Sequence, residues 1–203
     1  MGKQSASLSH AGSLPAGSLP ARSLAQKQLS PNRVILVGFM GAGKTSVGKE
    51  LARLLGWSFE DLDDRIQARE GRTIEEIFRE SGEAEFRRCE HMALRDLLAE
   101  LKPGCRIIAL GGGAFAQPEN ASLVRDSNIP SVFLDAPIQE LFRRCQEQEL
   151  KRPLRQDEAQ FRKLYDIRRP LYLAATHHVE TNGKPIAETA AEIAGALGIA
   201  PSK

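Results

Sequence analysis

The stretch VILVGFMGAGKTSVGKELARLLG, residues 34–56, constrains the fold of this 203-residue chain more than any other segment. It runs an aliphatic strand into a glycine-rich turn and then into an amphipathic helix, with Val47, Leu51, Leu54 and Leu55 on one face and Gly56 at the end. Within it, Gly38 to Thr45 reads GFMGAGKT and fits G-x-x-x-x-G-K-[ST] in the required strand–turn–helix context. Glycines at such a junction let backbone amides turn inward onto phosphate oxygens, and the helix N-terminus adds partial positive charge. Lys44 can reach the β and γ phosphates, and the Thr45 hydroxyl suits Mg2+ held between them. Gly41, Ala42, Gly43, Lys44, Thr45 and Ser46 are therefore the candidate phosphate-binding residues, with Thr45 a candidate metal ligand.

Charge narrows the class of partner. The chain carries 28 basic and 26 acidic side chains, but Lys3, Arg22 and Lys27 fall in residues 1–32, where there is no acid. The remainder holds 25 basic against 26 acidic groups, which does not describe a general nucleic-acid binder. No apolar run approaches the about 20 residues needed to span a bilayer, so no membrane partner is expected. Cys89, Cys105 and Cys145 form no CxxC pair, which suits a reducing compartment, and none of the four histidines has the spacing of a zinc site.

Residues 1–31 include the repeat AGSLPAGSLP and are rich in Ser, Ala, Gly and Pro, which predicts a disordered low-complexity tail. The lack of acids also suits an organelle transit peptide, but the segment is sparse in arginine; a cytoplasmic protein is the preferred reading. Residues 32–203 are expected to form a single domain. Strands are predicted at RVILVG, WSFED, RIIALGGG, PSVFLDA and THHVET, with helices between them. Thr73 and Glu76 form a capping box ahead of one helix, and a late helix over EAQFRKLYDIRRPLYLAA is expected to break near Pro170. Five strands alternating with helices imply an α/β fold, a parallel sheet with helices on both faces.

The acceptor of the phosphoryl group must be read from the rest of the chain. No Asn-Lys-x-Asp follows a late strand, which excludes a regulatory GTPase and leaves a small-molecule kinase as the economical class. FEDLDD places Asp61 and Asp63 two apart at a strand end, where persisting extended geometry would point both the same way; alternatively they cap the next helix. In GEAEFRRCE, Arg87 and Arg88 can form ordinary surface ion pairs with Glu83 and Glu90. Three consecutive glycines, Gly111, Gly112 and Gly113, end a strand, where close approach of a ligand or a sharp turn is the usual reason. The basic segment Lys151–Tyr172 is either a solvated helix or a mobile flap, about 148–163, that shields the transferring group from water.

Taken in order, GFMGAGKTSVGKELA, FEDLDD, GEAEFRRCE, GGGA, RPL and RRPLY resemble the shikimate kinase family over Arg33 to Leu197. The resemblance implies a nucleoside-monophosphate-kinase-like fold with a mobile lid, ATP as co-substrate, Mg2+ as cofactor, and transfer to the 3-hydroxyl of shikimate. It implies that Asp63 binds the reacting hydroxyl, that Asp61 is an indirect magnesium ligand, and that Arg87 and Arg168 clamp the substrate carboxylate. It further implies backbone contacts from Gly111, Gly112 and Gly113, a lid arginine at Arg152, and adenine surroundings made by Arg144, Asn182 and Pro185. Arg168 rather than Arg169 fits the family pattern R-x-P-L-Y. The chain departs from that pattern at Arg155 in the lid and in the absence of Ser or Thr from IIAL. A monomer is expected, and a kinase for another anionic polyol such as gluconate is the alternative.

Overall fold

Val34, Ile35, Leu36 and Val37 are all buried, as a strand must be when both edges pair and both faces are covered. The computed structural model, which describes residues 31–100, 104–147 and 157–202, makes this strand, β1 (Arg33–Val37), the centre of the sheet. It pairs in parallel with β3 (Arg106–Ala109) on one side and β4 (Ser131–Asp135) on the other. Outside these lie β2 (Ser58–Asp61) and β5 (His177–Glu180), giving the all-parallel order β2-β3-β1-β4-β5. All five strands therefore point their C-terminal ends at one edge, where ligands of open α/β sheets bind.

Parallel neighbours cannot be joined by tight turns, so helices make the crossovers. Helix α1 (Lys44–Leu55) buries Val47, Leu51 and Leu55 at helical spacing and packs along α7 (Ile186–Ala196). Its C-terminal stop is the expected one, Gly56 in the left-handed region. Helix α2 (Leu62–Glu70) packs on α3 (Ile74–Ala99), and α4 (Pro118–Asp126) follows a 3-10 turn at Ala114–Ala116. The Thr73–Glu76 capping box forms: the Thr73 N–H donates to Glu76 Oε2 at 2.7 Å, and the Glu76 N–H to Thr73 Oγ1 at 3.2 Å. Two expected helices are joined in α3 across a kink at Gly82, whose φ of +80° only glycine adopts cheaply.

Helices α5 (Ile138–Glu147) and α6 (Glu158–Tyr172) complete the set. Contrary to the expected break, α6 continues past Pro170 to Tyr172. Only one backbone bond is lost to proline so near a helix end, and buried Phe161, Tyr165 and Tyr172 hold the helix to the core. Phe39, just after β1, packs edge-on against Phe161 and Tyr165, with ring centroids 5.0 and 5.5 Å apart. The glycine-rich turn and α6 are thus bound to each other. Residues 1–30, and the part of the expected lid that contains Arg152 and Arg155, lie outside the described residues.

Candidate active site

The phosphate cradle is built by exclusion of side chains. Gly41 has φ +78°, and a Cβ there would lie 2.5 Å from the Leu141 carbonyl oxygen. Gly43 occupies the N-cap of α1 without a side-chain cap, so no capping side chain covers the positive end of the helix. Lys44 folds back over the turn, its Nζ donating to the carbonyls of Gly38 at 2.9 Å and Phe39 at 3.0 Å. Ala42 is buried, whereas Thr45 and Ser46 are exposed at the helix start. The Thr45 hydroxyl donates to Asp61 Oδ2 at 2.9 Å. A hydroxyl and a carboxylate oxygen side by side are the hard donors that Mg2+ prefers, so these residues fit the ion.

Asp61 and Asp63 do not share an extended direction. The strand ends at Asp61, which becomes the N-cap of α2 by accepting from the Asp63 N–H at 3.0 Å, and Asp63 lies in the first helical turn. The capping alternative is thus realised by Asp61 without costing it Thr45. Asp63 instead faces the triple glycine: a Cβ on Gly111 would lie 2.5 Å from Asp63 Oδ1 and 3.4 Å from Glu90 Oε1. On Gly113 it would lie 2.7 Å from Arg87 Nη1, and on Gly112 it would meet Met40 Cγ at 3.3 Å. The glycines clear room between an acid, an arginine and the phosphate turn.

Arg87 donates to Glu90 Oε2 at 2.9 Å and to Glu83 Oε1 at 3.1 Å. Glu83 is an exposed partner of the ordinary kind, but Glu90 is only 1% exposed, which corrects the reading of both as surface pairs. Burial pushes the Glu90 carboxyl up, Arg87 opposes this, and the charge of Asp63 adds to it. Arg168 donates to the Gly112 carbonyl at 3.3 Å, and the Tyr172 hydroxyl donates to the same oxygen. Burial lowers the Arg168 guanidinium from its ordinary value, and the charge of Arg87 pushes the same way. Two cations that repel across a site cleared of side chains would gain from an anionic ligand between them. Arg169 turns elsewhere, to Asp135 at 2.7 Å.

Beside the cradle lies a cavity of about 350 Å³, lined by Gly41, Gly43, Glu140, Arg144, Thr181 and Gly183 among others. The Arg144 guanidinium is held on three nitrogens: Nε donates to Glu140 Oε1 at 2.7 Å, Nη1 to Thr181 Oγ1 at 3.2 Å and Nη2 to the Thr181 carbonyl at 3.1 Å. Hydrogen bonds from Arg143 and then Arg144 pull the Glu140 carboxyl down to about 2. Asn182 and Pro185 are exposed on the loop that follows Thr181, and Gly183 and Lys184 between them line the cavity. Sequence reasoning missed Glu140, Thr181 and Tyr172 as site residues and took Glu90 for a surface partner. For Glu90 a signal existed, since it lies within the stripe Phe86, Cys89, Ala93, Leu94 and Leu97 that α3 buries.

A phosphate cradle beside a cavity, with acids and arginines gathered at a glycine turn that packs against it through Met40, defines a P-loop kinase of a small alcohol acceptor. The shikimate kinase family model matches residues 40–197. The chain is 40% identical to the shikimate kinase of Geobacter metallireducens, over 83% of this chain and 93% of that one. It is 34% identical to the shikimate kinase of Persephonella marina, over 81% and 98%. Among solved structures, shikimate kinase from Acinetobacter baumannii in complex with shikimate superposes with a TM-score of 0.74 at 36% identity, covering 82% of this chain and 92% of that one. A gluconokinase from Sinorhizobium meliloti shares the fold at 19% identity and a TM-score of 0.58, covering 83% and 93%. The chain belongs to the shikimate kinase family and is an ATP-dependent phosphotransferase.

Proposed function

We propose that the chain transfers the γ-phosphoryl group of ATP to the 3-hydroxyl of shikimate, giving shikimate 3-phosphate and ADP on the route to chorismate and the aromatic amino acids. The observation that carries this reading is the convergence of Asp63, Glu90, Arg87 and Arg168 on Gly111–Gly113 beside the phosphate turn. An acid for a hydroxyl and two arginines for a carboxylate match a substrate that has both groups.

In this reading Gly41–Ser46 wrap the phosphates with backbone amides, and Lys44 exchanges its two carbonyl partners for phosphate oxygens as charge gathers there. Asp63 holds the acceptor hydroxyl toward the γ-phosphorus and receives its proton as the new P–O bond forms and the bond to ADP breaks. Arg87 and Arg168 fix the acceptor carboxylate in two-point contacts, and the backbone of Gly111, Gly112 and Gly113 borders the ring. Arg144, locked in its plane, presents a flat face to the base, with Asn182 and Pro185 at the rim. Arg152, on the lid outside the described residues, is assigned to the phosphates. Thr45 and Asp61 would hold Mg2+, which when bound offsets phosphate charge. No helix among the described residues is long and apolar enough to cross a membrane, and the proposed setting is a cytoplasmic monomer.

The test is ADP release by the full chain with ATP and Mg2+, comparing shikimate, gluconate and no acceptor, with mass spectrometry of the product. Release that requires shikimate, with one phosphoryl group added to it, is expected. Release that requires gluconate instead would transfer the site to the other class of polyol acid.

A further inference from the structure

We infer that Asp135 and Arg169 are a positioning pair that sets the roll of α6 and so aims Arg168 at the acceptor, an inference that rests on the acceptor role proposed for Arg168. Asp135 ends β4 and is 3% exposed, and Arg169 reaches it through Nη2 at 2.7 Å and Nε at 3.2 Å, both to Oδ2. The other carboxylate oxygen, Oδ1, accepts from the Ala136 N–H at 3.0 Å and from the Tyr165 hydroxyl at 3.4 Å. His178 Nε2 lies 3.3 Å from Oδ2. One buried acid at a strand end therefore holds α6 at Tyr165 and at Arg169, four residues apart on one face.

Adjacent residues on a helix point about 100° apart. With Arg169 turned to Asp135, Arg168 and Tyr172 fall on the neighbouring face, and both donate to the Gly112 carbonyl. The helix needs such an anchor at this point. Arg169 precedes Pro170, and a residue before proline is disfavoured in helical conformation, while the proline itself contributes no N–H. Local preference is weakest here, so tertiary contacts decide the direction of the last turn. The same helix packs Phe161 and Tyr165 on Phe39 and Tyr172 on Phe133, which fixes the face it buries; the polar anchor adds the finer setting of its last turn, where Arg168 sits. Removal of the cation would strand a buried carboxylate, which draws on whatever donors remain and pulls the helix with it.

A merely structural pair and a positioning pair differ in what they change. We would prepare Arg169→Ala, Arg169→Lys and Arg168→Ala in the full chain and measure kcat, the KM for shikimate, the KM for ATP and the melting temperature of each. Arg169→Ala is expected to raise the shikimate KM about tenfold, as small misplacements of a binding group do, with the ATP KM unchanged. Arg169→Lys is expected to recover part of that loss, because an ammonium restores the charge on Asp135 but not the two-point hold. A lowered melting temperature with an unchanged shikimate KM would overturn the inference, as would a parallel rise in both KM values. Arg168→Ala separates the two readings: if it leaves the shikimate KM alone, the acceptor role itself fails. If it raises that KM while Arg169→Ala does not, only the positioning pair fails.

Discussion

The Thr45 hydroxyl donates to Asp61 Oδ2 at 2.9 Å, tying the first turn of α1 to the end of β2 across β3, the strand that separates β1 from β2. Asp61 thereby serves two helices, because its Oδ1 caps α2 through the Asp63 N–H. The two duties separate by substitution. Asp61→Ala is expected to cost about 1 kcal/mol of folding stability through the lost cap, whereas Asp61→Asn keeps a good capping oxygen and should cost less. Thr45→Val leaves the cap alone. All three should raise the Mg2+ concentration needed for half-maximal rate, since each weakens the oxygen pair assigned to the ion. A magnesium titration beside urea unfolding checks this; Asp61→Asn with wild-type magnesium demand would remove Asp61 from the metal site.

Arg87→Lys tests the carboxylate clamp. The guanidinium is already engaged by Glu90 and Glu83 and still faces the clearing left by Gly113, a geometry that depends on its planar fork. Lysine keeps the charge but offers a point, so the shikimate KM should rise about tenfold or more, the value of one charge-assisted hydrogen bond, with little change in the ATP KM. Steady-state kinetics with each substrate varied in turn decides it. An unchanged shikimate KM would take Arg87 out of the clamp.

Gly113 is tolerated by alanine in its backbone, with φ −111° and ψ −14°, so a methyl there acts only through what it touches. It would lie 2.7 Å from Arg87 Nη1, the far end of a flexible side chain that can move aside. Gly113→Ala is therefore expected to change the melting temperature little and to raise the shikimate KM. Gly111→Ala places its methyl 2.5 Å from Asp63 Oδ1 and should instead depress kcat, because the displaced group is the one proposed to meet the reacting hydroxyl. If both variants lost only stability, the glycines would be turn residues and nothing more.

These residues also show how far sequence carries. The phosphate turn was legible because G-x-x-x-x-G-K-T specifies backbone geometry directly, and the alternation of strand and helix follows from short-range periodicity. Arg168 could be preferred to Arg169 only by a family pattern; the physical distinction is that one faces Gly112 and the other Asp135, which depends on where β4 ends in space. Glu90 reads as a helix-surface acid by its spacing from Arg87, yet it is buried, because it lies on the face of α3 that packs inward and the glycine turn comes up against its carboxylate. Thr181 gave no local signal, since the arginine that recruits it is 37 residues away; Glu140 stands at ion-pair spacing from Arg144, but that spacing does not mark it as a cavity residue. Long-range partners of polar groups are fixed by topology, which periodicity does not encode.

Glu140→Gln carries the remaining prediction. The Glu140 carboxyl is held down to about 2 by Arg143 and Arg144, so its folded-state value lies below that of the unfolded chain. Such a group contributes stability that is present above the unfolded value, near 4.5, and lost as pH falls toward the folded one. Glutamine cannot titrate, so the stability difference between wild type and Glu140→Gln should shrink as urea unfolding is followed from about pH 5 to about pH 3. At neutral pH the glutamine carbonyl can still accept from Arg144 Nε but without the charge that strengthens that bond, while Thr181 keeps the two Nη contacts. The guanidinium then tilts about its Thr181 edge, and the ATP KM should rise severalfold with the shikimate KM unchanged. An ATP KM equal to that of wild type would mean that Thr181 alone fixes Arg144 and that Glu140 contributes only to the surface ion pairs of α5.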